Sequence, residues 1–286
     1  MTTTHRVPVP GASIHYEVRG SGPALVIAGS PMAARFFSPL ADALAGDYTV
    51  ITHDPRGISN SPLADPTAPG DPTERADDIA AILDAIGAEQ ADVFGSGGGA
   101  VTGLALVTRH PSRVRTLVAH EPPLLSILPD ADEQLAITDD IVATFHRDGI
   151  GAAFGKFMAQ AGFDQSGSAP DSATDGDSPD GPGPDADWQP SEQDLADSVR
   201  MFGYDILGTT RYRPDVAALT ARPGQVVLGI GAESGSLLTY RTTAALAALL
   251  GLEMVEFPGD HGGFMPEPVA FAATLRSVLA GSTARV

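Results

Sequence analysis

The chain has 286 residues, of which 43% are hydrophobic and 19% are charged, so it can bury one large core, with or without an inserted segment. It contains no cysteine, which excludes disulfides, thiolate metal sites and cysteine nucleophiles. A formal net charge of −19 argues against nucleic acid and anionic membranes as partners, because both demand basic patches.

Two further expectations follow from composition. No stretch is apolar over the length of a signal peptide or of a membrane span, so we expect a cytoplasmic protein. No His, Asp or Glu cluster has metal-ligand spacing, so we expect neither a metal nor another cofactor. The oligomeric state is left open.

Strand and helix signals alternate along the first part of the chain and again near its end. Short apolar or alternating runs predict strands, and periodic ones predict helices. The predicted strands cover residues 14–19, 24–28, 48–52, 114–119, 225–230 and 253–257, with one more from Ala91 to a glycine-rich turn. The predicted helices cover residues 35–45, 72–86, 133–145, 150–161 and 191–207. This order predicts a mostly parallel sheet with helices on both faces.

The segment 122–212 carries only helical signals, so it predicts a helical insertion into a core formed by residues 1–121 and 213–286. Within it, residues 163–190 are rich in Gly, Pro, Ser and Asp and contain neither Lys nor Arg. Such composition cannot bury a core and predicts a flexible acidic loop.

The turn after Ala91 has the shape of a nucleophile elbow without its nucleophile. In the G-x-S-x-G elbow, serine sits on a sharp strand-to-helix turn between two small residues. Here Gly95 and Gly99 are the flanking glycines, and Gly97 stands where the serine belongs. Ser96 is one position early, and using it as the nucleophile puts Phe94 where a small residue is needed.

Several motifs in this order resemble the α/β-hydrolase superfamily over nearly the whole chain. They are the segment 28–31 after a strand, the D-x-R-G-x-x-x-S-like segment 54–61, the elbow, the helical insertion and the segment 260–264 after the last strand. The resemblance implies an α/β-hydrolase fold with a mostly parallel eight-stranded sheet. It also implies that the insertion is a cap over the active site.

The same resemblance implies roles for individual residues. His261 matches the family's catalytic base, and the backbone N–H groups of Ser30 and Gly98 match the two oxyanion-hole donors. The acid that orients the base has two candidates. Glu121 follows a strand at the sheet edge where such folds bind ligands, and we favour it over Glu233, which lies after the next strand.

Apolar residues near these motifs are candidates for the substrate pocket. Some follow the oxyanion loop and others recur at helical spacing in the cap, where half of them are expected to form the cap's own core. The candidates are Met32, Phe36, Phe37, Phe157, Met158 and Phe202. They imply a medium-sized, mostly apolar small-molecule or short modified-peptide substrate.

A site with a base and an oxyanion hole but no serine has several possible functions. The leading hypothesis is hydrolysis by a water that His261 activates. Proton transfer is an alternative, as in an epimerase, isomerase or lyase acting on a modified peptide or polyketide, because it needs no covalent nucleophile. The chain could also only bind a ligand, or be a serine-to-glycine variant of a serine hydrolase.

A different class of protein is also consistent with the turn. Gly95, Gly97 and Ala100 fit a G-x-G-x-x-A pattern between a strand and a helix, and Glu121 follows 21 residues later. That spacing is typical of NAD(P)-binding proteins. The strands that precede the turn, the cap and the late His261 loop all favour the hydrolase interpretation.

Overall fold

A computed structural model describes residues 2–163 and 191–283, and its centre is one eight-stranded sheet. The strands are β1 (Thr2–Val9), β2 (Ala12–Arg19), β3 (Ala24–Ala28), β4 (Thr49–His53), β5 (Ala91–Ser96), β6 (Val114–His120), β7 (Val226–Gly231) and β8 (Met254–Phe257). Their spatial order is β1-β2-β4-β3-β5-β6-β7-β8. Pairs that involve β1 or β2 are antiparallel and the others are parallel. The mostly parallel eight-stranded sheet is thus confirmed.

Helices cover both faces of the sheet. The helices are α1 (Ser38–Leu44), α2 (Pro72–Ala85), α3 (Gly98–Arg109), α4 (Ala131–Asp148), α5 (Ile150–Ala161), α6 (Glu192–Arg200), α7 (Ile206–Thr210), α8 (Val216–Thr220), α9 (Leu238–Leu250) and α10 (Pro268–Thr283). Successive residues of β3 point to opposite faces, as strand geometry requires. Val26 joins the core formed with α2, α3 and α9, and Leu25 joins the core formed with α1 and α10.

The helical segment between β6 and β7 departs from the sequence prediction in one respect. We expected a single helix over 191–207, but α6 and α7 are separated by a π-helical turn over Met201–Asp205. Such turns widen the helix locally and are frequent at functional sites. The predicted flexible loop, apart from Phe163, lies outside the described residues, and the division at 121 and 212 stays a prediction.

Ion pairs connect this helical segment, which we call the cap, to the sheet core. In the buried pair, Arg75 of α2 contacts Asp205 of the π-helical turn at 2.7 Å. The same carboxylate also contacts Arg200, again at 2.7 Å. Nearer the surface, Arg35 contacts Asp194 of α6 at 2.6 Å. Among the described helices, none is long and apolar enough to cross a membrane.

Candidate active site

The turn at Gly97 has the backbone conformation that a nucleophile elbow requires. β5 ends at Ser96 and α3 begins at Gly98, so the chain reverses at Gly97, where φ is +57° and ψ is −122°. Non-glycine residues adopt this conformation only under strain, which is how elbows expose their nucleophile. The turn is held to the neighbouring strand because the Gly97 N–H donates to the carbonyl of His120 at 3.0 Å.

The two flanking glycines let backbones pass closely around this turn. A Cβ atom on Gly99 would lie 2.0 Å from the carbonyl oxygen of Ala28, and one on Gly95 would lie 2.5 Å from the carbonyl oxygen of Gly99. Both separations are far below contact distance, so any side chain at either position would push β3, β5 and α3 apart. Steric contacts therefore require the smallest side chain at both Gly95 and Gly99.

His261 faces the turn from the loop after β8. A Cβ atom built on Gly97 would lie 3.3 Å from Nε2 of His261 and 3.5 Å from its Cε1 atom. The opposite ring nitrogen, Nδ1, is 2.7 Å from Oε2 of Glu121. One ring nitrogen, Nδ1, is thus bound to a carboxylate, and the other, Nε2, is directed at the place where a serine side chain would stand.

Glu121 is fully buried and held in place by three hydrogen bonds. Besides the bond to His261, its carboxylate accepts from the Gly231 N–H and from the Thr239 hydroxyl, each at 2.8 Å. Its φ of +50° is unusual for a residue with a side chain and indicates local strain. Burial raises the pKa of Glu121, but the hydrogen bond with His261 and the neighbouring imidazoles outweigh burial and lower it to about 2. The group is therefore a carboxylate that fixes the imidazole tautomer.

The alternative acid, Glu233, does not lie at this position. Its side chain is exposed in the turn after β7, where its backbone N–H donates to the carbonyl of Gly259 at 3.0 Å. The interpretation of Glu233 as the orienting acid is corrected on this geometry, because Nδ1 of His261 is already bound by Glu121.

The two residues expected to supply the oxyanion donors, Ser30 and Gly98, lie close together beside Gly97. Ser30 and Gly98 both line the cavity that also contains Gly97 and His261. A Cβ atom on Gly98 would lie 2.5 Å from the carbonyl oxygen of Ser30, so the loop after β3 and the start of α3 are in close contact. Gly98 is the first residue of α3, where backbone N–H groups have no partner within the helix. Such N–H groups are suited to bind a negatively charged oxygen.

The cavity next to this turn has a volume of about 290 Å³. Most of its wall is apolar, and the cap supplies a large share of it. The apolar lining residues include Met32, Leu125, Phe157, Met201, Ile206 and Leu238. Besides His261, the polar lining residues include Gln160, Asp205, Thr209 and Thr239.

Only part of the predicted substrate-binding set lines this cavity. Met32 and Phe157 do. Phe37 is corrected to a core residue, because it is fully buried and its ring stacks on Phe264 at 4.8 Å. Phe36 is also corrected, because it faces outward and is 37% exposed.

The remaining two candidates belong to the cap itself. Phe202 is buried in the cap's own apolar cluster with Ile141 and Ala153, and Met158 is half-buried outside the cavity lining. Met201, which recurs at the same helical spacing as these cap residues, does line the cavity. Helical spacing shows which residues share a face but not which face meets the cavity, and the π-helical turn shifts that face by one residue.

A second histidine lies beneath the site and was not singled out from the sequence. His120 ends β6, and its Nδ1 atom is 3.3 Å from the hydroxyl of Ser96. Its ring lies 6.1 Å from that of His261, nearly parallel to it, and contacts Phe257 and Phe271. Burial lowers the pKa of His120 to about 3, so its imidazole is neutral near pH 7.

The glycine pattern that resembles a dinucleotide-binding turn has a geometric cause. Both kinds of site place a glycine-rich turn between a strand and a helix. Here the acidic residue of that pattern, Glu121, is fully buried and bound to His261, Gly231 and Thr239. Within residues 2–163 and 191–283, no group of three or more His, Cys, Asp or Glu side chains could hold a metal ion.

These features define a class of protein. The family described as alpha/beta hydrolase fold matches residues 23–268, which is most of the chain. The chain therefore belongs to the α/β-hydrolase fold family, and it has hydrolase-named relatives. An uncharacterized hydrolase of Bacillus subtilis, YraK, is 34% identical over 278 residues, which cover 95% of this chain and 94% of that protein.

Solved structures show the same fold at lower sequence identity. A thermophilic esterase from Thermogutta terrifontis superposes with a TM-score of 0.69 at 16% identity, over 98% of this chain and 99% of that one. An alpha/beta hydrolase from Sphaerobacter thermophilus gives a TM-score of 0.65 at 24% identity, over 96% and 100% of the two chains.

Proposed function

We propose that the protein is a hydrolase in which His261 activates a water molecule, without a covalent intermediate. One observation carries this proposal: the Nε2 atom of His261 faces an open position at Gly97, where a Cβ atom would contact only the imidazole. A water oxygen bound to Nε2 lies beside the place that a serine hydroxyl would occupy. In this proposal the base, its orienting carboxylate and the two oxyanion donors act together on that water.

The reaction follows from this arrangement. Nε2 of His261 accepts a proton from the water as the water oxygen attacks the carbonyl carbon of the substrate. Glu121 stabilises the imidazolium that forms, and the N–H groups of Ser30 and Gly98 donate to the oxyanion. The imidazolium then gives its proton to the leaving group, whose bond to the carbonyl carbon breaks, and the acid is released.

The expected rate is modest. Serine hydrolases that lack a member of their triad still accelerate hydrolysis by roughly 10³–10⁴-fold over water, through the oxyanion hole and substrate binding. We therefore propose acyl compounds with good leaving groups as substrates. The cavity volume of about 290 Å³ lies near the lower end of the roughly 300–1,000 Å³ that small-molecule sites span. Its apolar wall favours a mostly hydrophobic acyl compound.

The test compares the parent chain with His261→Ala on short-chain activated esters. His110→Ala is the matched control, because His110 also contacts a carboxylate, that of Asp77 at 2.7 Å, but lies outside the cavity lining. We expect ester cleavage by the parent and the control, and loss of that activity in His261→Ala. Equal rates in all three proteins would contradict the proposal.

A second measurement separates a water mechanism from a covalent one. With protein in excess over ester, intact-mass spectrometry of the parent should show no acyl adduct during turnover. In ¹⁸O-labelled water, the released acid should carry one labelled oxygen after a single turnover. An acyl adduct on any residue, including Ser96, would refute the water mechanism.

Proton transfer on a carbon acid is the second candidate. The same observation favours it, because an imidazole that faces open space beside an oxyanion hole is suited to remove a proton next to a carbonyl group. We expect solvent deuterium uptake into such substrates to depend on His261. Uptake no faster than in buffer would eliminate this candidate and leave the hydrolase proposal untouched.

A further inference from the structure

The nucleophile of the proposed reaction is a free molecule, since Gly97 has no side chain to supply one. In an ordinary elbow the serine hydroxyl is tethered, and water enters only in the second half of the reaction. Here the position beside Nε2 of His261 is open to any small molecule that has an O–H group. The imidazole accepts a proton from an alcohol as readily as from water.

The surroundings of that position favour an alcohol over water. A Cβ atom at Gly97 would contact only His261, at 3.3 Å from its Nε2 atom. Beyond it the cavity is walled mainly by apolar side chains, among them Leu125, Phe157 and Leu238. Such a wall offers water few hydrogen-bond partners, whereas it stabilises the alkyl part of an alcohol by burial.

We propose that this site transfers acyl groups to small aliphatic alcohols, an activity that rests on the proposed function because the same base and oxyanion donors serve it. Nε2 of His261 accepts the alcohol proton as the alcohol oxygen bonds to the carbonyl carbon of the acyl donor. The bond between that carbon and the leaving group breaks, and the leaving group takes the proton. The products are a new ester and the protonated leaving group.

This reaction differs in order from that of a serine enzyme. Without an acyl-enzyme, the acyl donor and the alcohol must occupy the cavity of about 290 Å³ together. Initial rates should therefore show a sequential pattern, in which double-reciprocal lines intersect, rather than the parallel lines of a ping-pong mechanism. The shared volume also limits the alcohol to a short chain.

The experiment uses phenyl acetate as donor and methanol, ethanol or 1-propanol at equal concentrations in buffered water. Gas chromatography gives the ratio of alkyl acetate to acetate after the reaction without protein is subtracted. We expect this ratio to rise about fourfold for each added methylene, because burial of a methylene favours binding by about that factor. His261→Ala should form neither product above background, and His110→Ala should form both.

A variant at the turn gives an independent readout. Gly97→Ala places a methyl group 3.3 Å from Nε2 of His261, in the space assigned to the acceptor. We expect the ratio of alkyl acetate to acetate to fall and the preferred alcohol to become shorter. Thermal unfolding checks that the variant is folded. If it does not fold, the alcohol series with the parent chain decides the question.

The outcomes separate the two proposals. A product ratio that does not change along the alcohol series, with acetate release still dependent on His261, overturns the alcohol acceptor and leaves the hydrolase proposal intact. Parallel double-reciprocal lines would indicate an acyl-enzyme and would overturn both the alcohol acceptor and the water mechanism. If neither product depends on His261, both proposals fail.

Discussion

The Nε2 atom of His261 lies 3.3 Å from the position that a Cβ atom of Gly97 would occupy, and this separation suits an imidazole that activates a serine hydroxyl one bond farther out. The backbone at Gly97 also has a positive φ, a conformation that glycine adopts freely and that strains any residue with a side chain. Under the proposed function, the site differs from that of a serine hydrolase only in the attacking atom.

The first prediction is that Gly97→Ser creates a covalent nucleophile. The new hydroxyl would be directed at Nε2 of His261, so we expect the variant to react with a fluorophosphonate probe at residue 97 and to form an acyl-enzyme with activated esters. Intact-mass spectrometry measures both adducts. A side chain at this φ costs about 1–3 kcal/mol of strain, so the free energy of unfolding should fall by that amount.

Gly97→Ala is the matched control for this experiment. It carries the same backbone strain and the same Cβ atom without the hydroxyl, so it should lose stability equally and remain unlabelled by the probe. If Gly97→Ser folds but the probe does not label residue 97, the assignment of this turn as a nucleophile elbow is wrong.

Seven of the eight strands were predictable from the sequence, because each is a short apolar or alternating run next to a recognisable turn or helix. The strand β1 was not predicted, because most of its residues are exposed and show no apolar pattern. The run at 24–28 is β3 itself, and the helix predicted at 150–161 coincides with α5. The prediction was weakest in the cap. The helical pattern from 191 to 207 does not reveal the π-helical turn, because a single turn of this kind shifts the apolar spacing by only one residue.

The site residues that directly follow strands were predictable from the sequence. The residues whose positions depend on side-chain packing were not. Glu121 and His261 both follow strands, so topology alone brings them to one edge of the sheet. Phe37 was misplaced because its stacking on Phe264 joins residues that are distant in sequence. His120 gave no signal, because its burial arises from rings contributed by β5, β8 and α10.

The second prediction concerns the carboxylate behind the base. Glu121→Gln keeps the shape of the side chain but replaces the acceptor opposite Nδ1 of His261 with an amide, which favours the wrong imidazole tautomer. In a serine protease triad the equivalent change lowers turnover about 10⁴-fold, and we expect a loss of up to that size in the His261-dependent rate. Steady-state kinetics with activated esters measures the loss, and thermal unfolding shows whether the variant is folded.

Glu233→Gln provides the comparison for this variant, because Glu233 is the other carboxylate near the end of a neighbouring strand and is exposed. We expect it to retain the rate of the parent chain. A large loss in Glu233→Gln together with a small loss in Glu121→Gln would reverse the assignment of the orienting acid.

The third prediction is that, as the pH is lowered, the free energy of unfolding begins to decrease at a higher pH than protonation of carboxylates alone would cause. Burial lowers the pKa of His120 to about 3 and that of His53 to about 4, from an ordinary value of 6.5. At a pH between the lowered pKa values and 6.5, these two histidines bind more protons in the unfolded chain than in the folded one. Their contribution to the free energy of unfolding is therefore complete above pH 6.5 and is lost as the pH falls below it. Urea unfolding at pH 7.5, 6 and 5 measures the change in free energy.

Replacing one of these histidines tests the cause. His120→Phe removes one titrating group from a site that aromatic rings already surround, so the free energy of unfolding should fall less steeply between pH 6.5 and 5 than in the parent chain. An unchanged slope in this variant would show that protonation of His120 does not contribute to acid unfolding.

The fourth prediction concerns the buried ion pair between the cap and α2. The side chains of Arg75 and Asp205 are only 2% and 3% exposed, and the same carboxylate also contacts Arg200. Asp205→Ala would leave two largely buried guanidinium groups without their carboxylate, and loss of one partner of a buried pair costs about 3–5 kcal/mol. We expect a decrease of that size in the free energy of unfolding, measured by urea denaturation.

An exposed ion pair of the same kind gives the control. Arg109 contacts Asp77 at 2.7 Å, but both side chains are more than 40% exposed, so Arg109→Ala should cost no more than about 1 kcal/mol. Because Asp205 also lines the cavity, Asp205→Ala should raise KM as the cap loses its attachment to α2. Equal stability losses in the two variants would mean that solvent reaches the Asp205 carboxylate, and the cap would then be held mainly by its apolar contacts.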